Sequence, residues 1–103
     1  MRIEVAGDRT ISRQARTYGE YRLFAALTQH SGPQNIRHVR AVLREVQLGK
    51  GCTGVACTVT VTLQGSDSIR IRTIGSHAYA AINNAVERLR TNRQTPSVDC
   101  ASL

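Results

Sequence analysis

The feature that most constrains the fold is the stretch of residues 55–63, VACTVTVTL, in which apolar and threonine side chains alternate. Successive side chains of a β-strand point to opposite faces, so this alternation predicts a strand with one buried and one hydrated face. Such strands are typical of antiparallel sheets. The apolar face consists of Val55, Cys57, Val59, Val61 and Leu63.

Three other segments show strand patterns, at residues 2–6, 36–46 and 68–73. Val39, Ala41 and Leu43 share one face of the second of these strands. Residues 48–51 form a predicted loop, and residues 64–67, QGSD, predict a hairpin turn between the last two strands.

Two segments have helical spacing. The first follows Ser12, a predicted N-cap, and ends before Ser31. The second spans residues 75–93 with Ser76 as its predicted N-cap, and Tyr79 is expected to join its buried side. The predicted core positions are Ala15, Gly19, Leu23, Ala26, Leu27 and His30 in the first helix, and Ala78, Ile82, Ala85, Val86 and Leu89 in the second.

The order β-α-β-β-β-α predicts an α+β fold of two layers, with both helices on one face of a four-stranded mixed sheet. The helical crossover predicts that the first two strands are parallel. The remaining neighbouring strands are expected to be antiparallel. Residues 1–93 form the predicted domain. The polar tail at 94–103 is expected to be disordered.

The basic charge is carried almost entirely by arginine. Lys and Arg total 14 against 7 acids, a formal net charge of +7, and Lys50 is the only lysine. Arginine suits phosphate, so the charge favours nucleic acid, or an anionic membrane surface, as the partner. The candidate RNA-binding residues are Arg88, Arg90 and Arg93 near the end of the second helix, and Arg40, Arg44, Arg70 and Arg72 on outward strand positions. Outward arginines can also serve only to keep a sheet surface hydrated.

Little in the sequence suggests catalysis. Residues 49–54, GKGCTG, resemble a phosphate-binding loop, but they lead into a strand rather than a helix. The three cysteines and three histidines complete no zinc pattern. We therefore expect that the protein is not an enzyme and that it binds no cofactor and no metal. No apolar run is long enough for a membrane helix, and a cytoplasmic monomer that binds no small-molecule substrate is the simplest expectation.

A family resemblance adds to this interpretation. The run AYAAINNAVERL at residues 78–89 resembles the second helix of the ribosome hibernation promoting factor family, which includes ribosome-associated inhibitor A. The likeness extends to Ile3-Glu4-Val5, Gly7, Ile11-Ser12, Arg16, Arg22-Leu23 and residues 39–43. The collinear likeness covers roughly residues 1–93. The chain departs from the family pattern at Ser76-His77-Ala78 and at residues 24–27.

The resemblance implies a short-form factor that binds the small ribosomal subunit and its ribosomal RNA. Such factors occupy the decoding channel and inhibit translation in idle or stressed cells. Arg22 and Arg88 match basic positions of the family, and Arg16 matches a common arginine.

Two alternatives stay open. One is a general adaptor for structured RNA, because the αβββα part of the order resembles a double-stranded-RNA-binding domain. The other is a protein-interaction module that uses the Phe24 region or a sheet edge.

Overall fold

The strands form one mixed sheet with the helices packed against it. A computed structural model describes residues 2–30, 36–65 and 68–92. The elements are β1 (Arg2–Gly7), α1 (Arg13–His30), β2 (Ile36–Gly49), β3 (Cys52–Leu63), β4 (Ser68–Gly75) and α2 (Ala78–Asn92). The strand order is β1-β2-β3-β4, with β1 parallel to β2 and the other neighbours antiparallel. The predicted fold class and element order are confirmed. The 94–103 tail, the His30 side chain, the helix stop at residues 31–33 and part of the turn at 64–67 lie outside the described residues.

The central hairpin is longer than the sequence pattern suggested. Pairing of β2 with β3 continues through Gln47↔Thr53 to Gly49↔Cys52, so only residues 50 and 51 remain of the predicted loop. Gly51 has a φ of 70°, a left-handed conformation that glycine adopts without steric cost. The apolar pattern changes phase here, because Val46 and Leu48 follow Val42 and Arg44 on the side of β2 away from the helices. Val46 is half-buried there and Leu48 is 48% exposed.

One hydrophobic core lies between the sheet and the helices. The inner face of the sheet contributes Val39, Ala41, Leu43, Cys57, Val59, Val61 and Ile71, all at most 3% exposed. The helices contribute Ala15, Leu23, Ala26 and Leu27 from α1, and Ala81, Ile82, Ala85, Val86 and Leu89 from α2. Because these side chains belong to a single cluster, both helices cover the same face. Burying each large apolar side chain stabilises the fold by about 1.5–3 kcal/mol.

Small residues let the layers approach closely. A Cβ added to Gly19 would lie 3.3 Å from Cδ1 of Ile82 and 3.6 Å from Cγ1 of Val5, so α1 contacts both α2 and β1 at this point. A Cβ on Gly75 would lie 2.5 Å from the backbone nitrogen of Ala81. The end of β4 therefore packs directly on the first turn of α2.

Asp8 connects the start of the chain to β2. Its Oδ2 accepts a hydrogen bond from the Glu45 amide at 3.2 Å, and its Oδ1 accepts from the amide of Thr10 at 3.0 Å and from the Thr10 hydroxyl. The Thr10 hydroxyl is the main cause that lowers the pKa of Asp8, followed by the Glu45 amide. A lowered carboxyl pKa stabilises the fold at neutral pH, and this contribution is lost as the pH falls through the folded-state value.

The helix caps match the prediction at α1 and differ at α2. The Ala15 amide donates to Ser12 Oγ at 3.1 Å, so Ser12 caps α1 as predicted. At α2 the predicted cap Ser76 is wrong, because the helix begins at Ala78 and the Ala80 amide donates to Nδ1 of His77 at 3.2 Å. The imidazole nitrogen thus takes the place that a hydroxyl or carboxamide oxygen usually fills.

This cap gives a testable difference between neighbouring residues. We expect His77→Ala to lower the free energy of unfolding by about 0.5–2 kcal/mol, the usual cost of losing an N-cap, and Ser76→Ala to change it little. His77→Asn supplies a new acceptor and should recover most of the loss. Urea denaturation of the variants measures these values. A larger loss for Ser76→Ala than for His77→Ala would contradict this assignment.

Candidate nucleic-acid interface

The arginines predicted to bind RNA divide between the two layers of the domain. Arg16 and Arg22 lie on α1, and Arg88 and Arg90 lie on α2. The strand residues Arg40, Arg44, Arg70 and Arg72 lie on the sheet. Arg93 falls outside the described residues. The predicted set is therefore not one contiguous site.

The sheet carries its arginines on the face away from the helices, which we call the open face. The register pairs Arg40 with Thr60 and Thr60 with Arg70, so these side chains share one row across the sheet. The next row runs from Val42 through Thr58 to Arg72. Because paired residues lie on the same face, the arginines of β2 and β4 form one basic surface.

A shallow cleft of about 240 Å³ lies within this surface. Val42, Ala56 and Thr58 line it together with Arg44, Arg70 and Arg72. Ala56 is only 3% exposed although it lies on the open face, because it is small and stands between longer side chains. Guanidinium groups around a small cleft with a threonine hydroxyl provide several donors for a phosphate.

The edge of the open face near β1 is closer to neutral. Glu4 Oε1 lies 3.3 Å from Nε2 of His38, and Glu4 Oε2 lies 3.6 Å from Nη2 of Arg2. Glu4 also pairs in register with Arg40. The basic character of the open face is therefore greatest between β2 and β4.

On α2, the arginines that the sequence groups together lie on different flanks. Residues two positions apart are separated by about 160° around an α-helix, so Arg88 and Arg90 diverge. Arg90 shares the flank of Asn83, and its Nη1 lies 3.5 Å from Oε2 of Glu87. Arg88 is half-buried on the flank of Asn84, whose Nδ2 donates to the Ile74 carbonyl at 3.1 Å. The predicted cluster at the end of α2 is thus split between the α1 side and the β4 side.

Asn83 joins the two helices. Its Oδ1 accepts hydrogen bonds from the Tyr18 hydroxyl at 2.9 Å and from Nε of Arg22 at 3.2 Å. Asn83 is half-buried against α1. Arg22 is consequently held at the helix junction. Arg16 lies about 120° from Arg22 around the axis of α1, on the flank away from α2.

The helix layer also carries a surface depression that we call the tyrosine groove. Its volume is about 600 Å³, and its lining residues are Arg13, Gln14, Thr17, Tyr18, Tyr21 and Tyr79. The expectation that Tyr79 belongs to the core is wrong, because its side chain lies on the α1-facing flank of α2 and is 38% exposed. Its ring meets that of Tyr18 edge-on, with centroids 5.0 Å apart.

This groove is the feature that sequence reasoning missed. Gln14, Thr17, Tyr18 and Tyr21 follow helical spacing, which places them along one side of α1. The spacing predicts that these residues share one side of α1, but it does not predict that Tyr79 of α2 lies beside them.

The two cysteines of the described residues differ in their surroundings. Burial raises the pKa of Cys57 to about 11, which keeps it a thiol at neutral pH. Cys52 is exposed and forms no disulfide.

Among residues 2–30, 36–65 and 68–92, no group of three or more His, Cys, Asp or Glu side chains could hold a metal ion. Within the same ranges, no helix is both long and apolar enough to cross a membrane.

Comparisons with known proteins give a structural likeness. No protein-family model matches the sequence, and no curated protein matches it significantly. A ribosomal subunit interface protein from Coxiella burnetii has a similar structure, with a TM-score of 0.70 and 18% sequence identity. The likeness covers 89% of this chain and 92% of that one. At this identity the likeness shows a shared fold, which extends over nearly the whole of both chains.

The link through Asn83 leads to a stability prediction. Asn83→Ala leaves the Tyr18 hydroxyl and the Arg22 guanidinium without their shared acceptor, so we expect a loss of about 1–3 kcal/mol in the free energy of unfolding. Asn84→Ala removes one exposed hydrogen bond and should cost at most about 1 kcal/mol. Thermal or urea unfolding of the two variants provides the comparison. Equal losses would show that Asn83 does not connect the helices as described.

Proposed function

We propose that this protein is a non-enzymatic ribosome-binding factor that occupies the decoding channel of the small subunit and inhibits translation in idle or stressed cells. The observation that carries the proposal is the fold shared with a ribosomal subunit interface protein along nearly all of both chains. The family resemblance of the sequence supports the same function.

The distribution of charge supports an RNA partner. A formal net charge of +7 resides on a domain with principal dimensions of 42 × 31 × 21 Å. Arg70 and Arg72 lie on one broad face, and Arg16, Arg22 and Arg90 lie on the helix layer opposite. A thin body with arginines on both broad faces is suited to a channel whose walls are both RNA, because each face can neutralise phosphates.

The proposed mechanism is occlusion. A folded domain that fills the path of messenger and transfer RNA blocks translation by excluded volume, so it needs no catalytic residue, cofactor or metal. The basic residues supply affinity and position the domain, since phosphate contacts fix orientation without reading sequence. The protein would act as a monomer in the cytoplasm, where ribosomes work.

A second candidate is a general adaptor for structured RNA. The observation that favours it is the order α1-β2-β3-β4-α2, which has the αβββα arrangement of a double-stranded-RNA-binding domain. Such domains recognise duplex shape and backbone. A protein-interaction module is a further alternative, because Phe24 is 54% exposed on α1.

Co-sedimentation with purified small subunits tests the proposal. We expect the protein to pellet with subunits at low salt. If about four phosphates are neutralised, log K should fall with log salt at a slope of about −3 to −4. Protein that stays in the supernatant would contradict the proposal. Equal affinity for a free RNA duplex would favour the adaptor, and binding insensitive to salt and ribonuclease would favour a protein partner.

Matched charge variants locate the binding faces. Arg70→Gln with Arg72→Gln removes two charges from the open face, and Arg88→Gln with Arg90→Gln removes two from α2. Each pair should weaken subunit binding and make the salt slope shallower by up to about 2, while circular dichroism shows retained folding. Lys50→Gln, at the tip of the β2–β3 hairpin, is the control and should bind almost normally. Unchanged binding by both double variants would exclude these faces.

A further inference from the structure

The tyrosine groove contains every tyrosine of the chain. The sequence has three tyrosines and no tryptophan, and Tyr18, Tyr21 and Tyr79 all line this one depression. Two of the rings are substantially exposed, Tyr21 at 69% and Tyr79 at 38%. Exposed aromatic rings that gather on one surface commonly mark a binding site.

The groove is organised before any ligand arrives. Tyr18 is fixed by its hydrogen bond to Asn83, the same side-chain oxygen that accepts from Arg22. Tyr79 is held edge-on against Tyr18, with an angle of 64° between the ring planes. Tyr21, on the next turn of α1, adds an exposed ring beside this fixed pair. A preorganised aromatic surface loses little conformational entropy on binding.

The remaining lining residues are polar or positively charged. Gln14 offers both a hydrogen-bond donor and an acceptor, Thr17 offers a hydroxyl, and Arg13 offers a guanidinium. Among the described residues that line the groove there is no carboxylate. This chemistry combines ring faces for stacking, groups that can bond the edge of a base, and a cation for the adjoining phosphate.

We propose that the tyrosine groove binds an unpaired RNA base, which stacks on Tyr21 beside the paired rings of Tyr18 and Tyr79 while Arg13 contacts the neighbouring phosphate. This inference rests on the proposed function, since it assigns a subsite for the RNA partner. A base inside a duplex is already stacked, so only a single-stranded or extruded base can enter. The net charge of +7 also favours RNA over a second copy of this chain, because two copies repel each other.

Intrinsic tyrosine fluorescence tests the assignment directly. Because the chain lacks tryptophan and all its tyrosines line the groove, the emission reports only on this site. We expect an unstructured RNA hexamer to quench the emission and to bind about tenfold more tightly than an abasic hexamer of the same backbone charge. Equal binding of the two hexamers, or binding without a change in emission, would overturn the inference.

Substitutions then identify the stacking ring. Tyr21→Ala should weaken hexamer binding about tenfold without loss of folding, because the side chain is largely exposed. Tyr21→Phe keeps the ring and should bind almost normally. Phe24→Ala is the matched control, since Phe24 is also an exposed aromatic of α1 but does not line the groove. A Tyr21→Ala variant that binds as tightly as the parent, or a Phe24→Ala variant that loses as much affinity, would refute the role of Tyr21.

The outcome is separable from that of the ribosome proposal. Hexamer binding that needs Tyr21, without co-sedimentation with subunits, would support the groove as a base-binding site and refute the ribosome partner. If Tyr21→Ala changes neither the affinity for the hexamer nor that for subunits, and the protein still co-sediments with subunits, the groove is refuted as a base-binding site. The ribosome then remains the supported partner.

Discussion

Burial of one face of the sheet beneath both helices is the interaction on which the rest of the structure depends. Val39, Leu43 and Val59 on the sheet and Ile82 on α2 are at most 2% exposed. The layers come together closely where small residues allow it, at Gly19 between α1 and α2 and at Gly75 beneath α2. Because all large apolar side chains of β3 face this core, the opposite face of β3 carries Ala56 and threonines, and arginines flank them on β2 and β4.

This one-sided burial determines where a partner can bind. The open face presents the arginine cleft, and the helix layer presents Arg22 and the tyrosine groove on the outer side of α1. The two surfaces differ in chemistry. The open face offers guanidinium groups suited to phosphate, whereas the groove offers aromatic rings suited to bases. One domain therefore presents a surface suited to RNA on each of its two layers.

Most of the fold follows from local sequence patterns. Alternation in β3 and the spacing of Leu23, Leu27 and Ile82 identify the strands, the helices and their buried sides. The site is less predictable, because its members meet only in three dimensions. Arg88 and Arg90 are close in sequence yet lie on opposite flanks, while Tyr18 and Asn83 are 65 residues apart and hydrogen-bonded. The sequence did not indicate His77 as the cap of α2, because an imidazole acceptor is not a usual capping signal.

Competition between this protein and transfer RNA for the small subunit tests the central claim most directly. Transfer RNA bound to programmed small subunits is titrated with the protein, and the amount retained is measured at equilibrium. Occupancy of the decoding channel predicts mutually exclusive binding, in which the protein displaces transfer RNA and excess transfer RNA raises the apparent Kd of the protein in proportion. Simultaneous binding, with neither ligand affecting the affinity of the other, would contradict the account.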